Sequence, residues 1–155
     1  MKTAEEILGD KIKAKLVSVA PDATLAGAIG VMVEANIGAI LVEENGEIVG
    51  IWSERDLLRL SNQSGFDPKD TLIRDHMKTN LYCASHDTPL IKLEEMFLGL
   101  FIRHILVKRG DKTIGVLSIG DVMRTSLLEK DGQIKELNSI ASWQYYENWG
   151  WDKKK

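Results

Sequence analysis

The chain has 155 residues, 44% hydrophobic and 28% charged, an ordinary globular balance and enough length for one domain or two small units sharing a core. A net charge of −3 speaks against a broad nucleic-acid surface, and the apolar run from Ala23 to Val33 falls short of the roughly 20 residues that cross a bilayer. The acidic start MKTAEEILGD, the single cysteine Cys83 and three histidines without metal-ligand spacing lead to the expectation of a cytoplasmic protein with neither a disulfide framework nor a metal site.

In chain order, the first predicted element is a short strand, Leu16 to Val19. A turn at Asp22 opens a helix from about Thr24 to Ala35. The β-rich run GAILVEE follows, and Asn45-Gly46 joins it to the strand IVGIW, a strong hairpin signal. A helix begins at Ser53. The polar stretch SNQSGFDPKD then reads as a linker. After it the order returns: a strand at Leu81 to Ala84, a turn at Asp87 and a helix from about Pro89 to Phe101. The strand run RHILVKR, a turn at Gly110-Asp111, the strand TIGVL and a helix at Ser118 complete it. Proline suits a first helical turn, where its missing N–H has no intrahelical use.

The recurrence is an internal repeat. Shifted by 65 positions, residues 7–60 lie over 72–125 without a gap, and 13 of the 54 pairs are identical, Asp10 with Asp75 and Lys13 with Lys78 among them. The predicted fold is therefore α/β, or more narrowly α+β: two β-α-β-β-α units. Residues 5–62 form the first unit, 63–70 the linker, 71–127 the second unit and 128–155 a C-terminal helix with an aromatic tail. Helix 23–33 carries no charge, and a helix apolar all round asks for cover on more than one side. That cover is either the chain's own core or a subunit interface.

The most informative motif is GhhSxxD, found as Gly50 to Asp56 and again as Gly115 to Asp121. Each copy sits where a strand ends and a helix begins. A helix N-terminus offers N–H groups and a positive dipole end to phosphate oxygens. A serine hydroxyl donates or accepts. An aspartate one turn later can accept from two ribose hydroxyls. The competing reading is a capping box, in which the serine caps the helix and the acid reaches back. Capping alone does not require the glycine three residues before the serine; close approach of a ligand or a neighbouring strand does.

With these stretches the sequence resembles a tandem pair of cystathionine-β-synthase domains, the CBS pair or Bateman module, over about residues 5–127. Asp75-His76-Met77 and the run Ile102-Arg103-His104-Ile105-Leu106-Val107 add to the match, although leucine stands where the family favours proline. Gly9-Asp10-Lys11-Ile12 matches more weakly, and Ile37-Gly38-Ala39 lacks the Arg-His pair. The resemblance implies a pseudo-twofold module with two clefts between the units. It also implies an adenosine ligand there: AMP, ADP or ATP, or else NAD or S-adenosylmethionine. By the same resemblance Ser53 and Asp56 serve one cleft, and Ser118 and Asp121 the other. Val17, Ser18, Ile37, Gly38, Ala39, Tyr82 and Cys83 are candidates for adenine contacts.

The clefts are not equivalent in sequence. Arg55 has Gly120 as its counterpart, and Arg103 and His104 have Gly38 and Ala39. Each arginine is a phosphate ligand if it faces a cleft. Otherwise Arg55 is a solvated helix residue, Arg103 a charge at a helix C-terminus and His104 an ordinary satisfied histidine. Lys13 and Lys78 read as solvated. Beyond residue 126 a rough helical stripe leads to Trp143, Tyr145, Tyr146, Trp149 and Trp151, half of the ten aromatic residues. Such a cluster points to burial in a homodimer, on its own subunit or against another protein.

The function expected is a regulatory module, not an enzyme. It would bind adenine nucleotide and signal to a protein partner not identifiable from sequence, without contacts to nucleic acid or membrane. The alternative is a structural dimerisation module with vestigial ligand sites. A general-base enzyme lacks a visible nucleophile, metal or paired acid.

Overall fold

The computed structural model describes residues 1–9 and 16–138. Helix α1 (Ala4–Leu8) comes first. The first unit then comprises β1 (Ser18–Val19), α2 (Leu25–Ala35), β2 (Ala39–Glu44), β3 (Glu47–Ser53) and α3 (Glu54–Ser61). A 3-10 turn at Ile73–Asp75 leads to the second: β4 (Cys83–Ser85), α4 (Leu90–Leu100), β5 (His104–Arg109), β6 (Lys112–Ser118) and α5 (Ile119–Asn138). The residues Asp10 to Lys13 and the aromatic segment 142–155, singled out in the sequence, lie outside the described residues.

The 65-residue offset holds element by element. Strands β2 and β5 share one alternation of burial, and β3 and β6 share another. Each unit has a three-stranded sheet with a parallel first pair and an antiparallel hairpin, β1-β2-β3 and β4-β5-β6. Register slips at the same place in both hairpins, Val42/Glu43 and Val107/Lys108. Asn45 (φ 53°) and Gly46 (φ 80°) both take the positive φ that a two-residue type I′ turn demands. The first hairpin is thus the one that Asn-Gly foretold.

The expected elements form, with shifted edges. Strand β1 begins at Ser18 rather than Leu16, and β4 at Cys83 rather than Leu81. Pro89 is the N-cap of α4 rather than its first helical residue, with extended φ and ψ. Helix α2 buries Leu25, Ala28 and Met32 on one face only, and Val33 on another face is 75% exposed.

Two elements escaped the sequence reading, α1 and the 3-10 turn, and both exchange places between the units. Ala4 and Leu8 stand before β1, at the start of the first unit, yet lie in the core of the second, with Leu90, Leu93, Phe97, Ile105 and Leu117. Ile73 stands before β4, at the start of the second unit, yet is fully buried in the core of the first, with Leu25, Ile40 and Trp52, and Met77 packs against that cluster. The polar stretch before it takes part as well: the Pro68 carbonyl accepts from Ala26 N–H, and Phe66 packs on the first core. Helix α1 is held by its own capping box between Thr3 and Glu6, and by Ala4 N–H and Glu5 N–H donating to the Thr88 and His86 carbonyls.

This exchange explains the motif glycines. A Cβ at Gly50 would stand 2.4 Å from Met77 Sδ, and one at Gly115 would stand 2.8 Å from both terminal methyls of Leu8. The close approach is made by a side chain, not by a ligand. Gly115→Ala should therefore cost about 1–3 kcal/mol by overpacking, and Leu8→Ala about 2–5 kcal/mol by leaving a cavity. Combined, they should cost clearly less than the two costs added, because each change relieves the other. Urea unfolding of the four proteins measures this. Strict additivity would show that Leu8 does not occupy the Gly115 slot in solution.

Candidate ligand-binding clefts

Both GhhSxxD serines cap the helices that follow them. Ser53 is the N-cap of α3: its N–H and its hydroxyl donate to Asp56 Oδ2 at 3.0 and 2.9 Å, and Asp56 N–H returns to Ser53 Oγ at 3.4 Å. Ser118 N–H donates to Asp121 Oδ2 at 2.9 Å, and Asp121 N–H to Ser118 Oγ at 3.2 Å. The capping reading is thus correct for both copies. It does not exclude the other, because the same residues line two cavities between the units.

The first cavity, of about 390 Å³, places Ser53, Arg55 and Asp56 opposite Tyr82, Arg103 and His104. The second, of about 440 Å³, places Ser118 and Asp121 opposite Val17, Ile37, Gly38 and Ala39. Adding 65 to Val17, Ile37, Gly38 and Ala39 gives Tyr82, Ile102, Arg103 and His104, all on the wall of the first cavity. The two clefts are related by the repeat. Two candidates stand outside both walls. Ser18 turns its hydroxyl to Glu43 Oε2 at 2.9 Å, and Cys83 lies exposed on β4.

The helix ends offer a phosphate less than the sequence suggested. Glu54 N–H already donates to the Gly38 carbonyl, and Asp56 N–H to Ser53. In the second unit Ile119 N–H donates to the Arg103 carbonyl, and Asp121 N–H to Ser118. Side-chain cations replace them in the first cleft, where Arg55, Arg59, Lys78 and Arg103 line a cavity with the single carboxylate Asp56. Lys78 Nζ lies 3.5 Å from Asp56 Oδ1, the oxygen that the cap leaves. The second cleft has Asp121 and His104 amid mainly apolar side chains.

Lys78, Arg59 and Asn80 are cleft residues that the sequence reading missed. Arg59 had a signal: it lies one turn beyond Arg55 and Asp56 on the same helix face. Lys78 had none. Its place follows from an isolated antiparallel bridge to Ile51, in which each backbone N–H donates to the other's carbonyl at 2.9–3.0 Å.

His104 lines both cavities. Burial holds its imidazole below the ordinary value of 6.5, the Arg103 charge works in the same direction, and Asp121 and Glu54 oppose both. The unfolded chain then takes a proton that the folded chain resists. Stability from this residue is complete above about 6.5 and is lost as pH falls through that value toward the lower folded one. His104→Gln should flatten the acid limb of a plot of urea midpoint against pH. An unchanged limb would place the titration elsewhere.

The sequence model of the CBS domain matches residues 5–62 and 73–127. The mitochondrial CBS domain-containing protein CBSX3 of Arabidopsis thaliana is 32% identical over 129 residues, 80% of this chain and 63% of the relative's own length. Among solved structures, a CBS-domain protein of Agrobacterium tumefaciens is 28% identical and superposes with a TM-score of 0.72, covering 81% of this chain and 99% of that one. CBSX2, solved in complex with AMP, is 28% identical with a TM-score of 0.62, over 74% of this chain and 90% of its own. With both halves matched and the repeat, the sheets and the clefts in place, this chain belongs to the CBS domain family and carries two such domains in tandem.

Proposed function

We propose that the chain is a regulatory CBS pair that binds an adenine nucleotide between its repeats and acts on a protein partner, in the cytoplasm and without catalysis of its own. The observation that carries the reading is the first cleft. One carboxylate, Asp56, lines it together with four cations, Arg55, Arg59, Lys78 and Arg103; an acid of this kind accepts from ribose hydroxyls and such cations pair with phosphate. The AMP complex of CBSX2, a relative of the same architecture, supports adenosine as the ligand class. AMP, ADP and ATP fit the cationic wall best, ahead of NAD and S-adenosylmethionine.

The asymmetry of the clefts divides their work. The Asp56 cleft discriminates by phosphate, and the Asp121 cleft accepts the nucleoside on an apolar wall. Loss of hydrogen bonds from a charged acceptor costs roughly 1.5–3 kcal/mol, about 10- to 150-fold in affinity. Calorimetry should show Asp56→Ala and Asp121→Ala each weakening one site by that factor, with native melting as the control for the loss of a cap. Arg103→Ala should weaken ATP far more than adenosine. Equal losses for the two ligands would make Arg103 a surface charge, and absence of heat with every adenine nucleotide would remove the sensor reading.

We propose further that two copies associate. Leu98 (70% exposed) and Phe101 (92%) at the end of α4, and Leu127 (63%) and Leu128 (65%) on α5, leave large apolar side chains of the second unit in water. The C-terminal aromatic residues add to that demand. Light scattering should give a dimer for the full chain and a weaker one after deletion of residues 142–155. A monomeric full chain would overturn the proposal, and an undiminished dimer would release the tail from it.

A further inference from the structure

The repeat hides an inversion of charge. Glu43, Glu44 and Glu47 of the first hairpin have Lys108, Arg109 and Lys112 as their counterparts 65 residues on. Within each hairpin the last cross-strand pair opposes like charges: Glu44 faces Glu47, and Arg109 faces Lys112. Like charges directly opposite destabilise a hairpin. Each hairpin end is thus built against itself and complementary to the other.

The two ends flank one cavity of about 820 Å³, separate from the GhhSxxD residues. Glu43 and Glu47 lie on one wall. Lys108, Arg109 and Lys112 lie on the other, with Asp111 at its turn. Leu16, Ile48 and Ile114 supply apolar surface between them. Two of these charges are engaged outside the gap: Glu43 accepts from Ser18 Oγ, and Arg109 pairs with Glu5. Glu47, Lys108 and Lys112 form no ion pair among the described residues.

We infer that this cavity is a second binding site, for a small zwitterion whose ammonium and carboxylate stand at opposite ends of an apolar body. The ammonium meets Glu47, the carboxylate meets Lys108 and Lys112, and the body lies on the apolar surface between them. A ligand with one charge satisfies one wall only. A peptide of three residues spans about 10 Å, and the cavity volume falls within the usual range for small-molecule sites.

The tripeptide Ala-Leu-Ala with free termini is the probe, titrated against the full chain and followed by amide chemical shifts and calorimetry. Its acetylated and its amidated forms should each bind at least about 10-fold more weakly, the effect of losing one charge-assisted contact. Glu47→Lys and Lys112→Glu should each lose binding to a similar degree. The double exchange should bind no better than either single one, because Glu43 still stands on the wall of residue 47 and Lys108 and Arg109 on the wall of residue 112. Adenine nucleotide affinity should be the same in all four proteins, so the result stands apart from the nucleotide reading. No binding of the free tripeptide, or equal binding of its capped forms, would overturn the inference. So would single exchanges that lower the melting temperature and leave peptide binding intact, for the charges would then serve one another across the gap.

Discussion

The arrangement turns on two glycine slots. Strands β3 and β6 each leave a hole at the motif glycine, and each hole is filled by a side chain from the segment that leads into the other unit's first strand: Met77 at Gly50, Leu8 at Gly115. Neither unit can complete its core from its own continuous stretch of chain. The exchange ties the units together through dispersion and apolar burial, which require close fit and tolerate little volume change. It also sets the chemistry. With Met77 in the slot, the next residue bridges Ile51 through two backbone hydrogen bonds, and its ammonium reaches Asp56. A packing constraint in the strand thereby delivers a cation to the cleft.

That chain of consequences explains what the sequence disclosed and what it withheld. The repeat, both hairpins and the helices after Ser53 and Ser118 were legible because they rest on local signals: period, turn residues and caps. Helix α1 is only five residues long and derives its stability from a core contributed by residues some 80 positions away. Its one local mark is the capping-box pattern Thr3 to Glu6, too little to announce so short a helix. The same holds for Lys78, whose side chain looks solvated until its backbone is seen beside Ile51. The motif glycine was legible as a place of close approach, but its occupant was not, because a side chain and a ligand make the same demand on the strand.

Duplication has kept the frame and let the side chains diverge. Elements, burial alternation and even the register slip agree between the repeats, since these depend on backbone geometry and the core. Ser and Asp of the motif agree at both clefts, but other positions beside them do not: Arg55 against Gly120, Arg103 against Gly38, His104 against Ala39. Substitution there costs the fold little, since none of these side chains belongs to either core cluster. A symmetric scaffold can in this way carry one cationic and one mainly apolar site without altering how the units pack.

The two sites are still not independent. Ile51 and His104 line both cavities, one from each repeat. A ligand that shifts the Ile51 side chain from one side changes the wall that the other cleft presents. His104 adds an electrical link: it is partly buried, held neutral by that burial, and within the influence of both Arg103 and Asp121. A phosphate placed near Arg103 would favour its protonation, and a cation on Asp121 would oppose it. Occupancy of one cleft would therefore change both the shape and the charge met in the other, and by linkage the effect would be reciprocal. The coupling needs no movement of one repeat against the other, only a side chain that two cavities have in common.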